Sequence, residues 1–312
     1  MGVNTAVKIG KLKLKNPVMA ASGTFGTEYG ELVDIKALGA IVAKTITLKP
    51  RQGNPPPRLV ETAAGMINSI GLENPGLEDF IKEKLPKFLK FKVPVIVSIS
   101  ADTMEEFKEI ARGLNKTDIS GIELNLSCPN IKVRRFAGSP VRQSDVLISQ
   151  DAKATYNAVK TVRKETNKTL IAKLTPNVTD ITEIAKAAED AGGDAISLVN
   201  TFMAMAVDIE TRTPKLGNIS GGLSGPAIKP IALKMVWDTF NKVSIPIIGI
   251  GGIMDCKDAL EFIICGAAAV QVGTANFINP KTSVGIIEGI EKYLKVNKMG
   301  DIRKLTGSLK TK

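Results

Sequence analysis

Eight short, almost wholly apolar runs recur along the chain, and that recurrence constrains its fold more than any other feature. They are PVMAAS (17–22), AIVAKT (40–45), PVIVSIS (94–100), GIELNLS (121–127), TLIAKLT (169–175), DAISLVN (194–200), IPIIGI (245–250) and AAVQVG (268–273). Runs of this kind, rich in β-branched residues and lacking polar/apolar alternation, fit parallel strands buried on both faces. Amphipathic stretches separate them, including MEEFKEIARGLNK (104–116), TDITEIAKAAEDAG (179–192) and DCKDALEFIICGA (255–267). Thr179 and Asp255 stand as N-caps of the last two, and Gly192 and Gly266 as their stops. The expected fold class is α/β, a (β/α)8 TIM barrel, with AVKIGKLKLK (6–15) as an N-terminal β-hairpin closing its floor. A doubly wound sheet is the competitor, but no G-x-G-x-x-G follows the first strand. A single barrel domain spanning 1–312 is expected, since no linker or low-complexity segment interrupts the pattern.

In such a barrel, chemistry gathers where strands end. The rule singles out Ser22, Lys44, Ser98, Asn125, Lys173, Asn200, the pair Gly251–Gly252, and Gly273–Thr274. The glycines in GIGGIMD (249–255) and VGTANF (272–277), with GGLSGP (221–226), suit a phosphate cradle made of backbone N–H groups and helix starts. This signal specifies a phosphate and not its carrier; tight turns alone, sugar-phosphate enzymes and flavin enzymes all share it. Cys128, in LNLSCPN (124–130), stands in a polar turn after the fourth strand. It is either a proton acceptor or an ordinary thiol, as Cys256 and Cys265 are read to be, buried in the core. The chain has no histidine, so proton transfer near neutral pH falls to other side chains.

Composition removes several classes. Three scattered cysteines provide neither a disulfide framework nor a metal or iron–sulfur site. The N-terminal MGVNTAVKIGKLKLK has no signal-peptide core, Ala6 breaks a myristoylation motif, and no apolar run is long enough for a membrane span. A cytoplasmic location with no membrane association is expected. The net charge of +11 raises nucleic-acid binding, but the lysines are dispersed and aromatics make up only 4% of residues, too few for base stacking. No nucleic-acid partner is expected; positive potential would instead draw in small anions.

Longer motifs add a resemblance. GTFGTEYGEL (23–32), GNPPPRLVETAAGMINSIGLENPG (53–76), ELNLSCPN (123–130), AKLTPN (172–177), LVNT (198–201), GGLSGPAIKP (221–230), IPIIGIGGI (245–253) and AVQVGTANF (269–277) are similar to the class 1 dihydroorotate dehydrogenases. They lie nearest the class 1B, NAD-linked type. The matches run collinearly over about residues 7–280; GNPPPR…NSIGLENPG and CPN…GGLSGPAIKP are the specific ones, while GIGGI and VGTANF occur in other flavin barrels.

The resemblance implies an FMN across the strand ends. Its phosphate would be held by Gly225, Gly251, Gly252, Gly273 and Thr274, and its ring would meet Ser22, Lys44, Thr45, Ser98, Asn125, Lys173 and Val199. Dihydroorotate, or its product orotate, would use Lys44, the stretch Asn68, Ser69, Ile70, Gly71 and Leu72, then Asn125, Asn200 and Thr201. Cys128 would take a proton from carbon 5 while a hydride leaves carbon 6 for the flavin, with Lys44 beside both, and residues 129–141 would act as a lid. Electrons would pass to a second subunit carrying FAD and an iron–sulfur cluster, on a homodimeric core that makes a heterotetramer. Three features depart from the family pattern: Ser98 replaces a usual asparagine, IKVRRFAGSPVRQSDV with Arg134 and Arg135 follows CPN, and the tail KYLKVNKMGDIRKLTGSLKTK reads as a terminal helix with a frayed end. The rival activities are a dihydrouracil-type flavoprotein, a flavin-free lyase using Lys44 or Lys173 as a Schiff base, and an RNA-binding protein.

Overall fold

The computed structural model describes residues 2–127 and 147–311. The apolar runs become eight strands: β1 (Val18–Ala20), β2 (Ala40–Ile46), β3 (Val95–Ile99), β4 (Gly121–Asn125), β5 (Thr169–Lys173), β6 (Ala195–Leu198), β7 (Ile247–Ile250) and β8 (Ala267–Val272). They pair in parallel in chain order and close into a barrel, with β8 returning to β1 through Val270 opposite Val18. Every residue of β3, β4 and β5 is buried. One face of each strand fills the barrel and the other meets the helices, so both must be largely apolar.

Among the described residues, six long helices cover the outside: α1 (Met104–Asn115), α2 (Ala152–Glu165), α3 (Ile181–Asp190), α4 (Lys229–Phe240), α5 (Cys256–Ile264) and α6 (Thr282–Val296). Helix α1 shows why these sequences fold as they do. Thr103 caps it by accepting from the Glu106 amide at 3.1 Å, and Glu105 and Glu106 sit at the positive end of the helix dipole. Phe107, Ile110, Ala111 and Leu114 then fall on one buried stripe. Burying each of the large apolar side chains is worth about 2 kcal/mol. Asp255 caps α5 by accepting from Lys257 and Asp258 at 2.8 and 3.0 Å, as the sequence leads one to expect. For α3 the cap is Asp180, which accepts from Thr182 at 2.8 Å, and not Thr179. The carboxylate one residue further on is the one that reaches the free amide.

Three other expectations need correction or extension. Between β1 and β2 the chain forms two 3-10 turns, Thr27–Glu31 and Ile35–Ala37, in place of an α-helix. Between β2 and β3 the helical segment passes through a π-turn, Phe80–Lys84, just ahead of Pro86, whose ring and missing N–H prevent a regular bond back to Lys82. The C-terminal tail is not frayed over its described length. Ile302 and Leu305 are buried, Asn4 donates to Gly300 backbone-to-backbone at 2.9 Å, and the Gly307 amide donates to Ile263 at 3.1 Å. The basic residues of that tail face outward while two aliphatic side chains anchor it.

The hairpin Val7–Ile9/Leu12–Leu14 forms as expected, with Ile9 and Leu14 fully buried. It sits at the strand starts, where Gly10 approaches Asp194 and Thr169. At the opposite end a four-stranded antiparallel sheet forms that the sequence reading did not anticipate. It joins Leu59–Thr62 and Gly65–Asn68, inserted after β2, to Ser220–Ser224 and Phe202–Met205, inserted after β6. This roof stands over the carboxyl ends of the barrel strands.

Candidate active site

A cavity of about 910 Å³ lies between the strand ends and the roof. That is toward the upper end of the range for small-molecule sites. Of the expected cofactor positions, Ser22, Lys44, Thr45, Asn125, Lys173, Val199, Gly225, Gly251, Gly252, Gly273 and Thr274 line it; so do all the expected substrate positions, Asn68 through Leu72, Asn200 and Thr201. Cys128, residues 129–141, Arg134 and Arg135 lie outside the described residues. Ser98 does not reach the cavity. It is fully buried and shares a 2.9 Å hydrogen bond with Thr45, because it pairs in register with Glu123, one layer below Asn125. Its role is to support Thr45, which in turn accepts from Asn125 Nδ2 at 3.3 Å.

The polar groups above β4 and β6 form one connected set. Asn200 Nδ2 donates to Ser127 Oγ at 2.5 Å and to Asn125 Oδ1 at 3.2 Å, while its Oδ1 accepts from the Thr201 amide at 2.8 Å. Ser127 and Asn177 were missed in the sequence reading; they stand two and four residues beyond the ends of β4 and β5. Asn177 Nδ2 donates to the Thr201 carbonyl at 3.2 Å and its Oδ1 accepts from the Met203 amide at 3.0 Å, so it pins the base of the roof.

The 68–76 loop is held from beneath. Asn74 Oδ1 accepts from the Gly76 and Thr47 amides at 2.9 and 3.1 Å, and its Nδ2 donates to the Leu72 carbonyl at 2.7 Å. Gly71 has φ +75 and a Cβ there would stand 2.5 Å from the Asn54 backbone nitrogen, so only glycine lets the loop close on that neighbour. Ser69 Oγ, within this loop and lining the cavity, is buried and has no hydrogen-bond partner among the described residues. A buried hydroxyl in that position is suited to a polar ligand.

At the far side, the turns after β7 and β8 meet the start of α4. Thr274 Oγ1 donates to Ser224 Oγ at 2.8 Å. Lys229, the cation at this helix start, is tied to Asp258 at 2.5 Å and Glu261 at 2.9 Å, and these carboxylates raise its pKa, Asp258 most. Anion binding there therefore falls to backbone amides. Among the described lining residues only Lys44 and Lys173 carry charge, and both are positive. Burial pushes the Lys44 pKa below the ordinary lysine value; Glu73 opposes that shift and Arg58 adds to it. Lys173 is buried, 3.4 Å from Ser22 Oγ and 3.8 Å from Glu123.

The other two cysteines are half-buried, less than the sequence reading had them, and burial raises both thiols. Cys256 packs where a side chain on Gly289 of α6 would collide with it, so its place is in the helix layer. Among the described residues no group of acidic or thiol side chains is arranged to hold a metal, and no helix is long and apolar enough to cross a membrane.

A family model described as "Dihydroorotate dehydrogenase" matches residues 4–294. The catalytic subunit of dihydroorotate dehydrogenase B (NAD(+)) from Thermoanaerobacter pseudethanolicus is 52% identical over 310 residues, covering 99% of each chain. The protein of that name from Caldicellulosiruptor bescii is 53% identical over 309 residues (98% of this chain, 99% of the other), and that from Geotalea uraniireducens 48% over 309 residues, 98% of each.

Proposed function

The chain belongs to the dihydroorotate dehydrogenase family of oxidoreductases, and on that premise we propose that it is a catalytic subunit oxidising dihydroorotate to orotate in pyrimidine (UMP) biosynthesis, with FMN as hydride acceptor and Cys128 as base. The observation that carries this reading is convergence. Positions separated by up to about 250 residues in sequence, chosen for a flavin and for a pyrimidine carboxylate, surround one cavity whose charged lining, among the described residues, is wholly positive.

The residues suit FMN. The close approach of Gly225 and Gly252 and the bond between Thr274 and Ser224 make a narrow, backbone-rich pocket that fits a phosphate. Lys173, Ser22, Thr45 and Val199 line the same cavity, which has room for a flat ring. Bound there, FMN supplies two-electron chemistry that no side chain of the protein can provide. The protein's own part is to orient and to move a proton. Asn68, Asn125 and Asn200 offer amide donors and acceptors to a pyrimidine edge, and Lys44 offers an ammonium to a carboxylate. Cys128 takes the proton from carbon 5 of the substrate. Exclusion of water by the roof on one side strengthens each of these contacts.

The relatives' names specify a catalytic subunit and NAD(+). We therefore extend the proposal to a homodimeric core joined to a second subunit carrying FAD and an iron–sulfur cluster. This chain's three cysteines and its lack of a dinucleotide fingerprint leave that chemistry to a partner.

The test is an absorption spectrum of the purified protein before and after anaerobic dihydroorotate. A flavin band that bleaches is the expected result; a colourless protein that takes up no FMN overturns the reading. A second expectation follows from Lys44. Its ammonium is needed for an anionic ligand, and burial lowers its pKa from 10.5. Orotate affinity should then be constant near neutrality and fall up to about tenfold per pH unit above the Lys44 pKa, starting below the ordinary lysine range. Titration of flavin difference spectra with orotate between neutral and high pH would show this, and Lys44→Met should bind weakly with no slope. An affinity that stays flat up to the ordinary lysine pKa would remove Lys44 from the carboxylate.

A further inference from the structure

Below the cavity the barrel interior holds a carboxylate that the proposed reaction does not use. Glu123, on β4, is fully buried, and so is Gln271 on β8. Gln271 Nε2 donates to Glu123 Oε2 at 2.9 Å across the barrel. Glu123 Oε1 accepts no hydrogen bond among the described residues, and it faces Lys173 Nζ at 3.8 Å. Barrels of this kind are ordinarily filled here by branched apolar side chains, and a carboxylate removed from water is destabilising unless paired. Hydrophobic packing would have been the more stable filling, so the pair calls for a role connected with the lysine's upper face.

We propose that Glu123 is a positioning residue that acts through Lys173: it holds the ammonium at the cavity floor and offsets its charge, keeping the reduction potential of a flavin bound above it lower than Lys173 alone would set. This rests on the reading that FMN lies over Lys173. The physical reason is simple. A reduced flavin carries negative charge that a cation stabilises, and a carboxylate directly behind the cation weakens the field reaching the ring. Gln271 fixes the carboxylate so that Oε1 is the atom turned to Lys173.

Glu123→Gln keeps the shape and removes the charge. The midpoint potential of bound FMN, read by anaerobic dye-coupled titration, should rise by about tenfold in the two-electron equilibrium, equivalent to roughly 30 mV. A side chain serving only to pack would, when loosened, let Lys173 drift and leave the potential unchanged or lower. Either result overturns the proposal. The pair itself is tested in flavin-free protein by thermal unfolding. Lys173→Met should lower the melting temperature by stranding the carboxylate, and adding Glu123→Gln should restore part of the loss. Strictly additive losses overturn the pairing, and this comparison decides the matter should Glu123→Gln alone fail to fold. A wild-type protein that binds no FMN overturns the flavin reading and the inference with it, whereas a flavin-binding wild type matched by Glu123→Gln overturns the inference alone.

Discussion

Gly252→Ala is expected to weaken FMN binding by about 100-fold or more, the equivalent of roughly 3 kcal/mol. Gly252 has φ +78, a conformation that disfavours any side chain, and a Cβ there would stand 2.8 Å from the Gly225 carbonyl oxygen and 2.9 Å from the Lys229 amide nitrogen. Both neighbours are backbone, so relief requires the turn after β7 to part from the start of α4. That movement would open the pocket proposed for the phosphate. Gly273→Ala provides the contrast. There a Cβ would meet only Ala21 and Thr24 side chains at an ordinary 3.7 Å, and the backbone is not left-handed. The Gly273 variant should therefore melt like the wild type, and any loss of flavin it shows reports the ligand's own proximity. Fluorescence titration of FMN into the stripped variants measures both. Wild-type affinity in Gly252→Ala would show that no phosphate lies in this turn.

Cys128→Ala should leave a yellow protein that binds orotate yet reduces its flavin about 100- to 10,000-fold more slowly. This is the span usually lost with a general base. Cys128 lies outside the described residues, and the expectation comes from its place in ELNLSCPN together with a chain that contains no histidine. Stopped-flow reduction by dihydroorotate at a series of pH values is the measurement. Wild-type rates should rise with pH as the thiol ionises, and the alanine variant should lose that dependence. Undiminished flavin reduction in Cys128→Ala would assign the proton to another group.

The barrel was legible because its signal is local and repeated. Each strand is a short apolar run, and the strand-end rule then located Lys44, Asn125, Lys173 and Asn200 at one cavity without knowledge of any contact. The same rule failed at Ser98, since it counts along a strand and takes no account of register between strands; pairing with Glu123 sets Ser98 one layer too deep. The roof was not legible because its pairing joins Asn68 to Gly222, far apart in sequence, through strands that are short and glycine-rich. Ser127 and Asn177 were readable in principle as polar residues just past strand ends. Their function as clasps emerges only from partners distant in sequence, Asn200 for the one and Met203 for the other.

The roof also fixes the length of the two strands that meet at its centre. Side chains in a strand alternate faces, so adding or deleting one residue within Gly65–Asn68 or within Ser220–Ser224 would break the register between the two hairpins and turn the side chains beyond it to the opposite face. The connections at either side can absorb such changes; the paired strands cannot, because each is the ruler against which the other is set.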